Sequence, residues 1–359
     1  MDTLTHALSG ALLARATEPR APHAGALPRR VRIAVGFIAA AFPDSDFIVS
    51  FLDPLTYLSA HRGVTHSIIL LPVWAFALAV LFAFILRRRY SWKAFVGISA
   101  LGIAAHIAGD IITAFGTMVF APFSAWRMQI PTTFIIDPYF TGIIVAGLVA
   151  SAVWKHTRAP AIAALGLLAA FVGFQYWQHQ RAVAVGDAYI AANRLEAASA
   201  HAIPQPFSPF NWMVVVQQPR EYRLAQISLT RTAPSRPADD AGWLARIAAA
   251  YRPVSDARWQ RIPRYGIDDT ALVESAWNTE GLARYRAFAM FPALYRIDRS
   301  PERVCVWFDD LRFKLEGRTG PFRYGACRES SANADSGAWK IYRLHGDDNN
   351  LDVLQRIPD

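Results

Sequence analysis

Phe42-Pro43-Asp44-Ser45-Asp46, His61-Arg62-Gly63-Val64-Thr65-His66-Ser67 and His106-Ile107-Ala108-Gly109-Asp110 are three clusters of metal-binding residue types, set in sequence otherwise apolar enough for a bilayer. An ionisable side chain at membrane depth costs roughly 2.5–3.5 kcal/mol on insertion scales, so function is the default explanation for each. Residues 33–52 are apolar except for Asp44 and Asp46, and Pro43 cannot continue a regular helix without losing a backbone bond. The helix is therefore expected to break where the carboxylates begin. Two Asp at i and i+2 diverge on a helix but converge on one ion from an irregular segment; in a soluble loop Asp-Ser-Asp would be an ordinary turn. His106 and Asp110, spaced i, i+4, share a helix face.

Outward from these clusters the apolar runs set the frame. Residues 67–86 are 20 uncharged residues in a row, enough for a hydrocarbon core of about 30 Å. Further runs cover 94–120, 134–154 and 159–178. Residues 1–16 lack a signal-peptide pattern and are expected to stay as a short helix. On that helix Asp2 and His6 share a face, with Asp2 either a cap or a site residue. Asp137, before Pro138, is likewise a cap or a site residue. Basic residues cluster at 15–32, 87–93 and 155–158. Cytoplasmic placement of all three leaves Arg62 and Arg127 in the outer loops. This expectation has Met1 outside, about six helical segments with one short or broken, and an exported C-terminal part. It also gathers the His and Asp residues in the outer half.

Composition divides the chain in the same place. Of 28 Asp and Glu, seven fall in residues 1–180 and the other 21 beyond, while 53% of the chain is hydrophobic and 18% charged. The expected fold is an all-α polytopic membrane domain, 1–180, followed by a soluble α+β domain, 181–359. In the latter a helix is expected near 183–200, a Pro-rich loop at 204–212, and strands near 222–229 and 303–315. No nucleotide loop, nucleophile motif or metal spacing is evident there. Cys305 and Cys327 are the only cysteines, and export would permit a disulfide between them. The +9 charge is explained by topology rather than by nucleic acid, so the expected partners are the bilayer and an amphiphilic or lipid-linked substrate.

The metal candidates are His6, Asp44, Asp46, His61, His66, His106 and Asp110. Mixed nitrogen and oxygen donors favour zinc, with manganese or iron as alternatives, over calcium. Seven donors suffice for one ion or two, with an Asp44 or Asp46 bridge in the second case. Arg62 is expected to bind a phosphate or a developing oxyanion, and Asp44 and Thr65 to join it in catalysis. The reaction expected is hydrolysis of an ester, phosphoester first. Its rivals are an ion or proton pathway through the same residues and a metalloprotease, for which the His-Glu-x-x-His motif is missing.

Met1-Asp-x-Leu-Thr-His6, Phe-Pro-Asp-x-Asp46, His61-Arg-Gly-x-Thr-His-Ser67 and His106-x-x-x-Asp110, followed by Gly116-Thr and Pro122-Phe-Ser, resemble the YdjM/YfhP-type metal-dependent hydrolases of bacterial inner membranes. The resemblance covers roughly residues 1–180, and the C-terminal part is similar to the extension of the YfhP-like branch. It implies a multi-pass inner-membrane protein with a metal-dependent hydrolase site.

Overall fold

The computed structural model describes residues 1–20, 25–237, 240–315, 320–329, 337–345 and 350–355; residues 21–24, within the basic cluster at 15–32, lie outside them. The chain divides into two compact units, one of Met1–Ile48, Ala60–His179 and Pro204–Pro209, the other of Val49–Ser59, Gln180–Ile203 and Phe210–Asp359.

The N-terminal half is helical: α1 (Thr3–Ala16), α2 (Arg29–Ala41), a 3₁₀ segment (Phe42–Phe51), α3 (Pro54–Ala60), a 3₁₀ turn (Val64–His66), α4 (Leu71–Ile85), α5 (Lys93–Ile111), α6 (Pro138–Val153) and α7 (Ala159–Asn193). Although short, α1 is central. Its Ala14 joins a core with Val35, Leu78, Phe95 and Ile103 from α2, α4 and α5, while its Leu12 joins another with Phe140, Ile144 and Ala161 from α6 and α7. A helix apolar on all sides must be enclosed, and α1 fits that rule. It crosses α2 at backbone contact: a Cβ on Gly10 would lie 2.1 Å from the Gly36 carbonyl oxygen, and one on Gly36 2.5 Å from that of Gly10. Small residues at such a crossing let helices pack closely where lipid supplies no hydrophobic drive.

Among the described residues, three helical stretches are long and apolar enough to cross a membrane: Arg29–Phe51, Lys93–Ile111 and Ala159–Asn193. A fourth is added if Pro54–His66 and Leu71–Ile85, bent by 79° to each other, form one span. Several expected boundaries shift for local reasons. The run at 67–86 is not one helix, because the Ser67 hydroxyl accepts from the Ile69 and Leu70 amides and donates to the Ala121 carbonyl. Helix α4 starts after that turn, and its 15 residues reach about 22 Å. The run at 94–120 stops being helical at Ile111; the amides of Ile130, Thr132 and Thr133 return to cap the carbonyls of Ile111 and Ile112. Asp137 is a helix cap, accepting from the Tyr139 and Phe140 amides, and its second oxygen accepts from Gln175. The expected helices at 159–178 and near 183–200 are a single 35-residue helix, since no Pro or Gly pair interrupts them; it ends where Arg194 turns to φ 51°.

The C-terminal region is rich in β-sheet. One sheet holds β1 (Ser199–Pro204), β2 (Asn211–Gln217), β3 (Glu221–Ser228) and, after α8 (Trp243–Ala250), β4 (Arg252–Pro253), in that order, with β5 (Gln260–Pro263) also on β3. After α9 (Thr270–Trp277) and α10 (Ala283–Phe288) comes an antiparallel meander of β6 (Pro292–Arg299), β7 (Arg303–Asp310), β8 (Tyr324–Glu329), β9 (Lys340–His345) and β10 (Asn350–Gln355). Cys305 and Cys327 face each other across β7 and β8 and are joined by a disulfide.

The Gly10–Gly36 crossing yields a test. Gly36→Val should lower stability by about 1–3 kcal/mol or more, the usual effect of overpacking. Thermal unfolding in detergent, followed by tryptophan fluorescence, should show the drop. An unchanged midpoint would mean that the two helices do not meet there.

Candidate metal centre

The helix break at Pro43 has two consequences. It turns Asp44 and Asp46 out of α-helical spacing into the 3₁₀ segment. It also ends α2 at Ala41, leaving last-turn carbonyls without intrahelical partners. One of these, the Ala40 carbonyl, lies 2.6 Å from His106 Nδ1 on α5.

Four side chains from three places in the chain converge. Asp44, His66, His106 and Asp110 each bring one donor atom, all within 4.8 Å of one another. Asp44 Oδ1 lies 3.7 Å from His66 Nε2 and 3.4 Å from His106 Nε2. Asp110 Oδ2 lies 3.2 and 3.5 Å from the same two atoms, which are 2.9 Å from each other. A tetrahedral zinc ion, with nitrogen and oxygen ligands at about 2.0–2.1 Å, holds its ligand atoms about 3.3 Å apart. The observed separations straddle that value.

Hydrogen-bond partners assign the tautomers. A carbonyl can only accept, so His106 Nδ1 carries a proton shared with Ala40, and in the neutral ring Nε2 presents a lone pair. His66 Nδ1 lies 2.9 Å from Thr65 Oγ1 and 3.5 Å from Asp46 Oδ2, while the Thr65 hydroxyl donates to that same Asp46 oxygen. These two oxygens draw a His66 proton to Nδ1, so in the neutral ring its Nε2 is also bare. Two imidazole nitrogens 2.9 Å apart need a proton or a cation between them. The fourth donor is consistent with this: Asp110 Oδ2 is buried and accepts no hydrogen bond. The donor set therefore fits a divalent cation, and its backing by Thr65, Asp46 and a carbonyl is the usual outer layer of a metal site.

The other expected residues stand behind these four. His6 stacks on His106 at 3.7 Å between ring centroids, and its Nε2 lies 3.0 Å from Asp110 Oδ1. Gly109 makes room for it, since a Cβ there would come 3.0 Å from His6 Cε1. Asp46 bonds His61 Nδ1 at 2.8 Å and accepts the Arg62 amide. Arg62 differs most from expectation. Its side chain is 2% exposed, with Nη2 2.9 Å from Asp110 Oδ1, Nη1 2.8 Å from Thr113 Oγ1, and the guanidinium over the Phe115 ring. It is turned inward to neutralise Asp110 rather than outward to a phosphate, because a fully buried carboxylate demands a paired charge. Asp2 caps α1, accepting from the Thr5 amide and hydroxyl. Two residues not expected at the site are Thr3, whose hydroxyl donates to Asp44 Oδ2 at 2.6 Å, and Thr113, which accepts from Arg62. Nothing in the sequence marks either beyond a hydroxyl near a motif.

Comparison with known proteins agrees with this helical half. A family model described as YdjM inner membrane protein matches residues 1–182. The chain belongs to this family. It is also 24% identical over 324 residues to the uncharacterized protein YfhP of Bacillus subtilis (strain 168), covering 88% of each chain. No solved structure matches it.

The layered site predicts graded losses. His66→Ala and His106→Ala should abolish metal retention in protein purified without chelator. Thr65→Ala should keep the ion but weaken it by about 10–100-fold, the usual effect of losing an outer partner. Elemental analysis and chelator competition measure both. Equal losses in all three variants would contradict the layering.

Proposed function

We propose that this protein is a metal-dependent hydrolase embedded in the bacterial inner membrane, acting on an ester, with a phosphoester favoured, of a lipid or lipid-linked substrate. The observation that carries the reading is the buried set of two imidazoles and two carboxylates at tetrahedral spacing. Zinc suits these donors best. When bound, a divalent ion there supplies Lewis acidity, the property that makes water a nucleophile near neutral pH. The chain's own residues do the rest: Ala40 and Thr65 aim the two imidazoles, and Arg62 and His6 hold Asp110. The four donors form one set, with Asp46 and His61 paired behind it, which favours a single ion over two.

An amphiphile is the substrate class this setting supports. The site lies among helices apolar enough to span a bilayer. Leu4 and Phe47, close in sequence to the accessible Thr3 and Asp44, are exposed and apolar. For topology we propose six helical segments, with α1 and α6 short, and an extracytoplasmic C-terminal domain. The basic loops at 15–32 and 155–158 meet, since Arg29 donates to the Lys155 carbonyl and Arg158 to that of Glu18. Joint cytoplasmic placement of these two loops satisfies the charge rule, and puts His6, near the other end of α1, toward the outer face.

Two experiments test this. The purified protein, in vesicles, should release phosphate or alcohol from a lipid-linked phosphoester, and chelation should stop it. Stoichiometric metal with ion flux across the vesicle and no hydrolysis would make the pocket a transport site instead. A C-terminal reporter active only in the cytoplasm should be silent; a signal would reverse the orientation.

A further inference from the structure

A tetrahedron filled by four protein ligands is the mark of a structural site, whereas catalytic sites keep a position for water or substrate. For the donor set to serve the hydrolase reading, on which this inference rests, one of the four must give way. They are not equivalent. His66, His106 and Asp110 are each fully buried and each is held from behind, by Thr65 and Asp46, by the Ala40 carbonyl, and by Arg62 with His6 respectively. Asp44 is the exception. Its side chain is 14% exposed and it rides on a 3₁₀ segment rather than an α-helix. Beyond the four, its partner among the described residues is the hydroxyl of Thr3, itself exposed.

We propose that Asp44 is the exchangeable ligand of this site and that Thr3 is the positioning residue that retains its carboxylate during exchange. The two oxygens of Asp44 have separate tasks: Oδ1 faces the two imidazoles, and Oδ2 accepts from Thr3. When Oδ1 withdraws, the Thr3 bond keeps the carboxylate at the rim, and the position opens toward the accessible side of the site. The exchange forms and breaks no substrate bond. It also selects the substrate. A departing carboxylate oxygen carries negative charge, and an incoming anionic phosphoryl oxygen replaces it with little change in local charge. A neutral carboxylic ester would leave the ion's own ligand set one anionic donor poorer. The geometry thus favours a phosphoester head over a neutral ester.

The test uses the full chain in detergent, loaded with cobalt(II) as a coloured stand-in and titrated with inorganic phosphate. Asp44→Asn should keep one metal per chain, whereas His106→Ala should lose it. Phosphate should alter the cobalt spectrum of the wild type, and should do so at lower concentration in Asp44→Asn, where no carboxylate competes. Thr3→Val should weaken metal binding by about 10-fold, the low end for an outer partner, and Thr3→Ser should restore it. Loss of metal from Asp44→Asn as complete as from His106→Ala would overturn the proposal, as would a cobalt spectrum in Asp44→Asn indifferent to phosphate. A wild type that binds no metal would instead defeat the metal reading beneath it, so the two failures are distinct.

Discussion

The buried carboxylate of Asp110 is the constraint on which the helical half depends. Taking an ionised carboxylate out of water is costly unless charge and hydrogen bonds compensate it. Its Oδ1 is compensated by Arg62, His6 and the Met1 ammonium, at 2.9, 3.0 and 2.5 Å. Each of these comes from a segment other than α5, so neutralising Asp110 draws the start of α1 and the loop after α3 onto one helix. Oδ2 is left facing two imidazole nitrogens, where a cation would complete the compensation. The same residue therefore organises the bundle and shapes the site.

Helix packing serves that arrangement. The Gly10–Gly36 contact brings α1 against α2 closely enough that His6, from the start of α1, stacks on His106 of α5. The break at Pro43 then contributes twice, through the Asp44 carboxylate and through the Ala40 carbonyl that its helix end releases. At the opposite end of α1, Arg15, Glu18, Arg29 and Arg158 form a polar knot with the 155–157 backbone. The helix is pinned at both ends, and its central position explains why fourteen residues suffice for it.

Much of this was legible in the sequence because local rules govern it. Pro43 dictates a helix end, His106 and Asp110 must share a face, and an ionisable group in an apolar run asks for a partner. What was not legible depends on which partner each group finds. Asp46 and His61 carry the same donor atoms as Asp44 and His66, yet they pair behind the site; composition cannot rank donors by layer. Arg62, flanked by histidines, was expected to bind a phosphate, but its left-handed backbone, φ 60°, accompanies a side chain turned inward to Asp110. The extent of α4 depended on the turn that the Ser67 hydroxyl holds ahead of its start, and that of α7 on the absence of a breaker after residue 178. The two cysteines needed the β7–β8 register to place them opposite each other.

The central claim is that Asp44, His66, His106 and Asp110 enclose one divalent ion. X-ray absorption at the metal edge of protein purified without chelator tests it most directly, because it reads the ligands rather than the activity. The account predicts one ion per chain with nitrogen and oxygen neighbours at about 2.0–2.1 Å, imidazole scattering from two rings, and loss of one ring's contribution in His66→Ala. An ion without imidazole scattering, or no ion at all, would contradict it.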